Sequence, residues 1–448
     1  MKKNNVSILF LAGLFLTFVG SVFADVQSPQ GSNDVQALRN EMTELKNLVM
    51  QQQKMIASQG KEIGDLRLKV EPQSKTTYLP SAKAALPSWS DGLKMGGDLR
   101  LRYEAIDKHI LRDRNRFRFR LRYGLEKQLN DEFTVGFRLA TGTSTDPSTP
   151  NQTFTGDFTP KNIFIDRAYV LYRPHFMTEN VPHVKSFEIG GGKVANPYLE
   201  TTGIMFWDPD VNPEGIYERS EMSFLNDRLK PFAILGQFIF NENTTAPSDA
   251  ELYAYQTGYR AELSSDPVKT PLTWTSALAF YDFRDVGKDS NFVVSGVSLA
   301  GGNTTLGTTN LAAGDFKVLN VYQDLKFKMG SLLAKVFGEY DINLHDQAAD
   351  PDNQNGAYQA GLSLGSSKKK GDWQFNYYYA YIEPNSILGA ISESDFGEGH
   401  ANERGSNLEA YYMLTDFLKL RFKASFTERV IGSEDETGRY QIDLEWKF

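Results

Sequence analysis

The sequence predicts an all-β fold, a 16-stranded antiparallel transmembrane β-barrel, preceded by a short α-helical coiled coil. Three observations carry that expectation. First, the chain of 448 residues holds 30 Phe and 21 Tyr, yet nothing after residue 24 approaches the roughly 20 consecutive apolar residues of a membrane-spanning helix. Only helices and closed barrels satisfy their backbone hydrogen bonds in lipid, so a membrane protein without such helices is a barrel. Second, segment after segment alternates apolar and polar residues, the period of a strand with two unlike faces. The last ten residues, 439–448, do so without a break. Third, the connections between these segments alternate in length, as in barrels with short turns at one end and long loops at the other. Modest overall hydrophobicity fits, because each strand shows lipid only half its residues.

Residues 1–24 read as a secretory signal peptide. Lys2 and Lys3 form a basic start, Val6 to Val19 is an almost unbroken apolar run, and Val22-Phe23-Ala24 offers a cleavage position before Asp25. The run is too short for a transmembrane anchor. The absence of cysteine removes a lipoprotein anchor, disulfides and thiol chemistry together. Membrane attachment must then come from the fold itself.

Residues 34–71 carry heptads. Val35, Met42, Val49, Ile56, Ile63 and Val70 fall at a positions; Leu38, Leu45, Gln52, Gln59 and Leu66 fall at d. This pattern predicts a coiled coil, and its narrow seam suits self-association better than docking on a broad core. The β-branched a positions lean toward two strands, and the two Gln at d weaken the seam while offering a register. Pro72 ends the helix. With Pro80 and Pro87 among Ser, Thr and Lys, residues 72–92 read as an extended linker.

The barrel is expected over 93–448. Strand 1 covers about 93–105 and strand 2 about 114–128; the short turn Leu129-Asn130-Asp131 leads to strand 3 with Phe133, Val135, Phe137 and Leu139 on its apolar face. Further strands are expected near 162–173, 185–194, 214–222, 231–241, 251–263, 271–284, 315–329, 331–344, 356–367, 372–382, 406–415, 417–429 and 439–448. Long connections near 143–160, 195–213, 285–314 and 383–405 lie opposite the short ones at Gly330, Ser366 to Gly371 and Asp416. Sixteen strands leave an aqueous channel, where about 8 would be filled by side chains.

Charge points into that channel. Arg100 and Arg102 on strand 1, Arg116, Arg118, Arg120 and Arg122 on strand 2, and Lys419, Arg421 and Lys423 on strand 15 share the polar parity of their strands. Such a cationic wall would favour anions. The competing reading is structural: closure sets strand 16 beside strand 1, so Asp443 and Glu445 would pair with Arg100 and Arg102 and leave little net field. The formal charge is −8, and −10 once Lys2 and Lys3 leave with the signal peptide, which argues against a nucleic-acid partner. Five histidines in expected loops or turns, without metal-ligand spacing, and no nucleophile motif argue against an enzyme. No cofactor is called for.

The final strand, with Tyr440, Ile442, Leu444, Trp446 and Phe448 at alternate positions, resembles the sorting signal of bacterial outer-membrane barrels. A larger resemblance lies upstream. Gly190-Gly191-Gly192-Lys193-Val194, followed by Trp207-Asp208-Pro209-Asp210 and Asn212-Pro213-Glu214-Gly215, together with Asp166-Arg167-Ala168-Tyr169-Val170, resembles the bacterial family described as putative porins over most of 93–448. That resemblance implies the outer membrane, a water-filled channel for passive diffusion of ions and small hydrophilic solutes, and trimerisation. The coiled coil, which would stand in the periplasm and could reach the cell wall, leaves two versus three copies open. If the third external loop folds inward as in general diffusion porins, Glu200, Asp208, Asp210 and Glu214 would face the arginines of strands 1 and 2 across a constriction. A loop held outside by its own Asp-Pro turns is the alternative. Rival functions are a substrate-selective channel for anions or sugars, and an envelope tether with the barrel as its anchor.

Overall fold

The computed structural model describes Met50, Lys54 and residues 90–448, apart from 110–111, 144–145, 204, 243–247, 287–292, 295–296, 299–300, 307–309, 312–313, 346–353, 398, 400 and 433–435. The chain divides into two units, Met1–Leu86 and Pro87–Phe448. The signal peptide, nearly all of the coiled coil and nearly all of the linker lie outside the described residues.

The second unit is a closed antiparallel sheet. Its strands are β1 (Leu93–Lys108), β2 (Arg114–Gln128), β3 (Phe133–Thr141), β4 (Ile163–Tyr172), β5 (Val184–Lys193) and β6 (Glu214–Met222). Then follow β7 (Leu229–Asn241), β8 (Ala250–Glu262), β9 (Leu272–Arg284), β10 (Phe316–Met329) and β11 (Leu332–Asn343). The last are β12 (Gly356–Gly365), β13 (Trp373–Ile382), β14 (Glu403–Met413), β15 (Leu418–Arg429) and β16 (Thr437–Lys447). Each pairs antiparallel with its sequence neighbours. Strand β16 then pairs with β1, Leu101 opposite Leu444 and Arg102 opposite Asp443, and the barrel of sixteen strands closes. At the seam Gly97 exchanges backbone hydrogen bonds with Phe448 at 2.8 and 3.1 Å. A Cβ at Gly97 would overlap the Arg122 carbonyl, so this close approach needs glycine.

The burial pattern is inverted relative to a water-soluble sandwich. In the middle of β1 and β2 the inward polar residues Arg100, Arg102, Glu104, Arg118 and Arg120 are covered, Arg102 being 2% exposed, while Leu101, Phe117 and Tyr123 stand outside, Phe117 at 58%. A surface this apolar is stable only against hydrocarbon. Two outer aromatic bands bound it. At the short-turn end Phe133 stacks on Tyr172 and Trp274 meets Tyr259 edge-on; at the long-loop end lie Tyr103 with Phe117, Tyr358 with Tyr381, and Phe426 with Tyr440. Aromatic girdles of this kind mark the two interfaces of a membrane barrel. Among the described residues no helix is long and apolar enough to cross a membrane; the helix α1 (His175–Asn180) sits in the connection between β4 and β5.

Counted from the N-terminus, the second, third, fifth and seventh connections at the long-loop end span 142–162, 194–213, 285–315 and 383–402. They are called loops 2, 3, 5 and 7 below. The strand positions match those expected within a few residues; the largest differences, three residues, are the end of β1 at Lys108 and the start of β14 at Glu403, where pairing with Ile382 and Arg429 carries the ladder farther toward loop 7.

Candidate functional site: a charged ladder crossed by two loops

The barrel encloses a structure built by loop 3. Leaving β5, the loop docks on the far wall: the Tyr198 hydroxyl donates to the Ala254 carbonyl on β8 (3.1 Å), Thr201 donates to Gln256 (2.6 Å), and Thr202 meets Tyr281 on β9 (3.2 Å). The Gly203 N–H donates to Glu339 on β11 at 2.8 Å. A Cβ at Gly203 would overlap both Gln359 on β12 and Glu339, so the loop backbone lies directly on the wall. Met205, Phe206 and Trp207 are buried, with Phe206 stacked on Tyr281 at 4.4 Å. Seven residues beyond Gly203, Asp210 reaches Arg122 on β2 at 2.8 Å and Arg120 at 3.7 Å. Strands β2 and β11 are seven places apart by the shorter way round a ring of sixteen, nearly diametric, so loop 3 crosses the lumen.

Loop 7 lies against it. Residues 384–393 are all buried, and Ile387, Leu388, Ala390 and Ile391 join one apolar cluster with Trp207, Phe206 and the β7–β10 wall. Asp208 ties the two loops. Its N–H donates to the Ile391 carbonyl at 2.8 Å, and its carboxylate accepts from the N–H groups of Ser394 (2.9 Å) and Asp210 (2.8 Å). Loop 5 closes over them: Asn303 donates to the Pro384 and Ile387 carbonyls (2.5 and 2.7 Å) and accepts from the Gly389 N–H (2.9 Å).

Against this plug stands the arginine ladder, held by carboxylates from three sources. The barrel wall supplies most: Asp98 bridges Arg120 and Arg122 at 2.7 and 2.8 Å, Glu104 bridges Arg116 and Arg118, and Asp443 grips Arg102 through two bonds of 2.7 and 2.9 Å. Glu409 pairs with Arg421 at 2.6 Å, and Glu445 with Lys419 at 3.4 Å. Loop 3 supplies Asp210. Loop 7 supplies Asp395, 2.7 Å from Arg102 and 3.6 Å from Arg439, and Glu393, 3.0 Å from Lys423. Arg100 has no carboxylate within 4.0 Å among the described residues; it donates to Asn151 of loop 2 at 2.6 Å.

The surroundings set the protonation of the loop acids. Burial would raise Asp395, but Arg102, Lys423 and Arg439 outweigh it and hold the carboxyl well below the usual carboxylate range. Asp208 moves the other way: burial first, then the neighbouring Glu393 and Asp210, push it well above that range against the two N–H donors.

The geometry redistributes the residues singled out in the sequence. Arg102, Arg116, Arg118, Arg120, Arg122, Lys419 and Arg421 form one network with Asp210, through shared carboxylates and the Tyr411 ring between Lys419 and Arg421, while Arg100 stands beside it on Asn151. Glu200 does not face them; it pairs with Arg219 on β6 and Arg260 on β8, both at 2.9 Å, because it precedes the crossing. Asp208 points into loop 7, since Asp208-Pro209-Asp210 closes a turn that separates the two carboxylates. Glu214 is already on β6 and pairs with Lys193 at 2.7 Å. Of the expected partners across the seam, Asp443 takes Arg102, whereas Glu445 lies near Arg120 at 3.9 Å and not within pairing distance of Arg100. Glu393 and Asp395 join the ladder from loop 7 without any charge pattern of their own that marks them in the sequence. The signal was present in the apolar run Ile387-Leu388-Gly389-Ala390-Ile391, which has no reason to sit in a water-exposed loop.

Comparison with known proteins places this barrel. A family model described as "Putative porin" matches residues 107–327 and 318–448. Comparison with curated protein sequences finds no match. Solved structures with similarity include Pseudomonas putida OprB, at 11% identity and TM-score 0.49 over 80% of this chain and 95% of that one. Salmonella typhi OmpF in complex with daunomycin gives 11% and 0.47 over 80% and 99%, and an anion-selective porin from Comamonas acidovorans gives 12% and 0.47 over the same shares. Similarities this low carry no argument about substrate, and the family match stands on the sequence. It covers most of the chain, and the chain belongs to the bacterial family described as putative porins.

Proposed function

We propose that the protein is an outer-membrane porin passing ions and small hydrophilic solutes by passive diffusion, with its constriction formed by the arginine ladder and Asp210 of loop 3. The carrying observation is the loop that crosses a charge-lined lumen: a barrel serving only as an anchor has no use for a wall of Arg102, Arg120 and Arg122 faced by an acidic loop from within. In this reading the long loops face outside and the turns face the periplasm. The coiled coil of 34–71 stands in the periplasm and joins copies of the chain, three by the porin resemblance.

The charges of the constriction nearly cancel. Arg100, Arg102, Arg116, Arg118, Arg120, Arg122, Arg138, Arg167, Lys419, Arg421, Lys423 and Arg439 face Asp98, Glu104, Asp166, Asp210, Glu393, Asp395, Glu409, Asp443 and Glu445. An excess of three cations supports weak anion preference. The test is single-channel conductance and reversal potential of the purified protein in planar bilayers under a salt gradient. Stable conductance in steps of three, with a small reversal potential of anionic sign, is expected; folded protein without conductance refutes the porin, and strong cation selectivity refutes the proposed constriction.

A further inference from the structure

We propose a docking site for small organic monocarboxylates in the chamber between loop 3 and the short-turn end of the barrel, built around Lys326 and Lys335. The proposal deepens the porin reading, in which this chamber lies on the solute path. Lys326 on β10 and Lys335 on β11 are direct cross-strand partners, so their ammonium groups leave the same face of the sheet. Like charges placed opposite one another are unfavourable in a sheet. Compensation is thin: Lys326 has only Asp324 at 3.9 Å, and no carboxylate lies within 4.0 Å of Lys335 among the described residues. The Lys335 ammonium instead sits over the Phe337 ring, 4.8 Å from its centroid.

Both lysines line a cavity of about 570 Å³, within the range of small-molecule sites. Phe337 and Leu333 give it apolar wall, and Ser363 and Asn376 give it hydrogen-bonding groups. The Tyr378 hydroxyl, buried and without a hydrogen-bond partner among the described residues, belongs to a side chain lining the same space. A carboxylate between the two ammonium groups relieves their repulsion while its apolar body covers Phe337 and Leu333. Glu200 also lines the chamber, which disfavours ligands of higher negative charge.

The test measures benzoate binding to the folded full chain in detergent by equilibrium dialysis, beside benzyl alcohol as the neutral analogue and inorganic phosphate as the compact anion. Wild-type protein should bind benzoate at least about tenfold more tightly than either, and Lys326→Gln/Lys335→Gln should lose at least about tenfold in benzoate affinity. Unchanged heat-dependent gel mobility of the variant shows that its barrel has folded. Equal affinity of variant and wild type, or of benzoate and benzyl alcohol, overturns the site, and tighter binding of phosphate overturns the monocarboxylate assignment. Conductance without benzoate binding removes the site and leaves the porin; benzoate binding without conductance removes the porin reading and leaves the site.

Discussion

Asp395 is the carboxylate whose loss tests the interlocking of loop 7 with the ladder. It accepts from Arg102 at 2.7 Å and from Gln441 at 2.9 Å, with Arg439 at 3.6 Å, and it is largely buried. Removing one partner of a buried ion pair costs about 3–5 kcal/mol where the other charge is left alone. Arg102 keeps its two bonds to Asp443, so the expected cost of Asp395→Asn is about 2–3 kcal/mol against loop 7 docking. At about 1.4 kcal/mol per decade, amides of 386–397 should exchange about 30- to 150-fold faster in the folded protein, while strand amides stay protected. Hydrogen exchange read by mass spectrometry resolves the two. In bilayers the same variant should conduct more and prefer anions more strongly, because the constriction gains a net positive charge. A change below about threefold in loop 7 exchange would refute the assignment of Asp395 as the latch.

Two further outcomes follow from the crossing loop. Gly203→Ala places a methyl group into Gln359 and Glu339, an overpacking cost of about 1–3 kcal/mol; exchange across 200–206 should accelerate and conductance should rise, and unchanged values for both would contradict the docked position of loop 3. The Asp208 carboxyl, raised by burial and by Glu393 and Asp210, binds its proton more tightly in the docked loops than when freed. Docking of loop 3 on loop 7 is therefore strongest below the ordinary carboxylate pKa and weakens as pH climbs from there to the raised value. Asp395, held low, contributes above the ordinary value and loses its contribution as pH falls. Protection of 205–211, corrected for intrinsic exchange, should drop as pH climbs above the ordinary carboxylate range; protection rising with pH there would show that the buried acid is not Asp208.

How far the sequence reveals this molecule depends on whether a residue sits on a strand. In β1 and β2 the period of two leaves no freedom: once Leu101, Tyr103, Phe117 and Phe119 face lipid, Arg100, Arg102, Arg118 and Arg120 must face inward. Length then separates turns from loops, and β16 finds β1 because a membrane barrel tolerates no open edge. Loops obey no such parity. Asp208 and Asp210 have the spacing that would align them on a strand, but a turn sends one into loop 7 and the other to Arg122. The counter-charges of the ladder are farther still from view: Asp395 meets Arg102 across 293 positions of sequence, and no local pattern carries that pairing. What does carry into the sequence is hydrophobicity out of place. Met205-Phe206-Trp207 and Ile387-Leu388 are apolar segments in connections that would otherwise be solvated. The end of a barrel offers them one place to be buried, its lumen. Read in this way, the apolar residues of loops 3 and 7 predict that both fold inward, and the acids beside them, Asp210, Glu393 and Asp395, become the groups expected to meet the arginines.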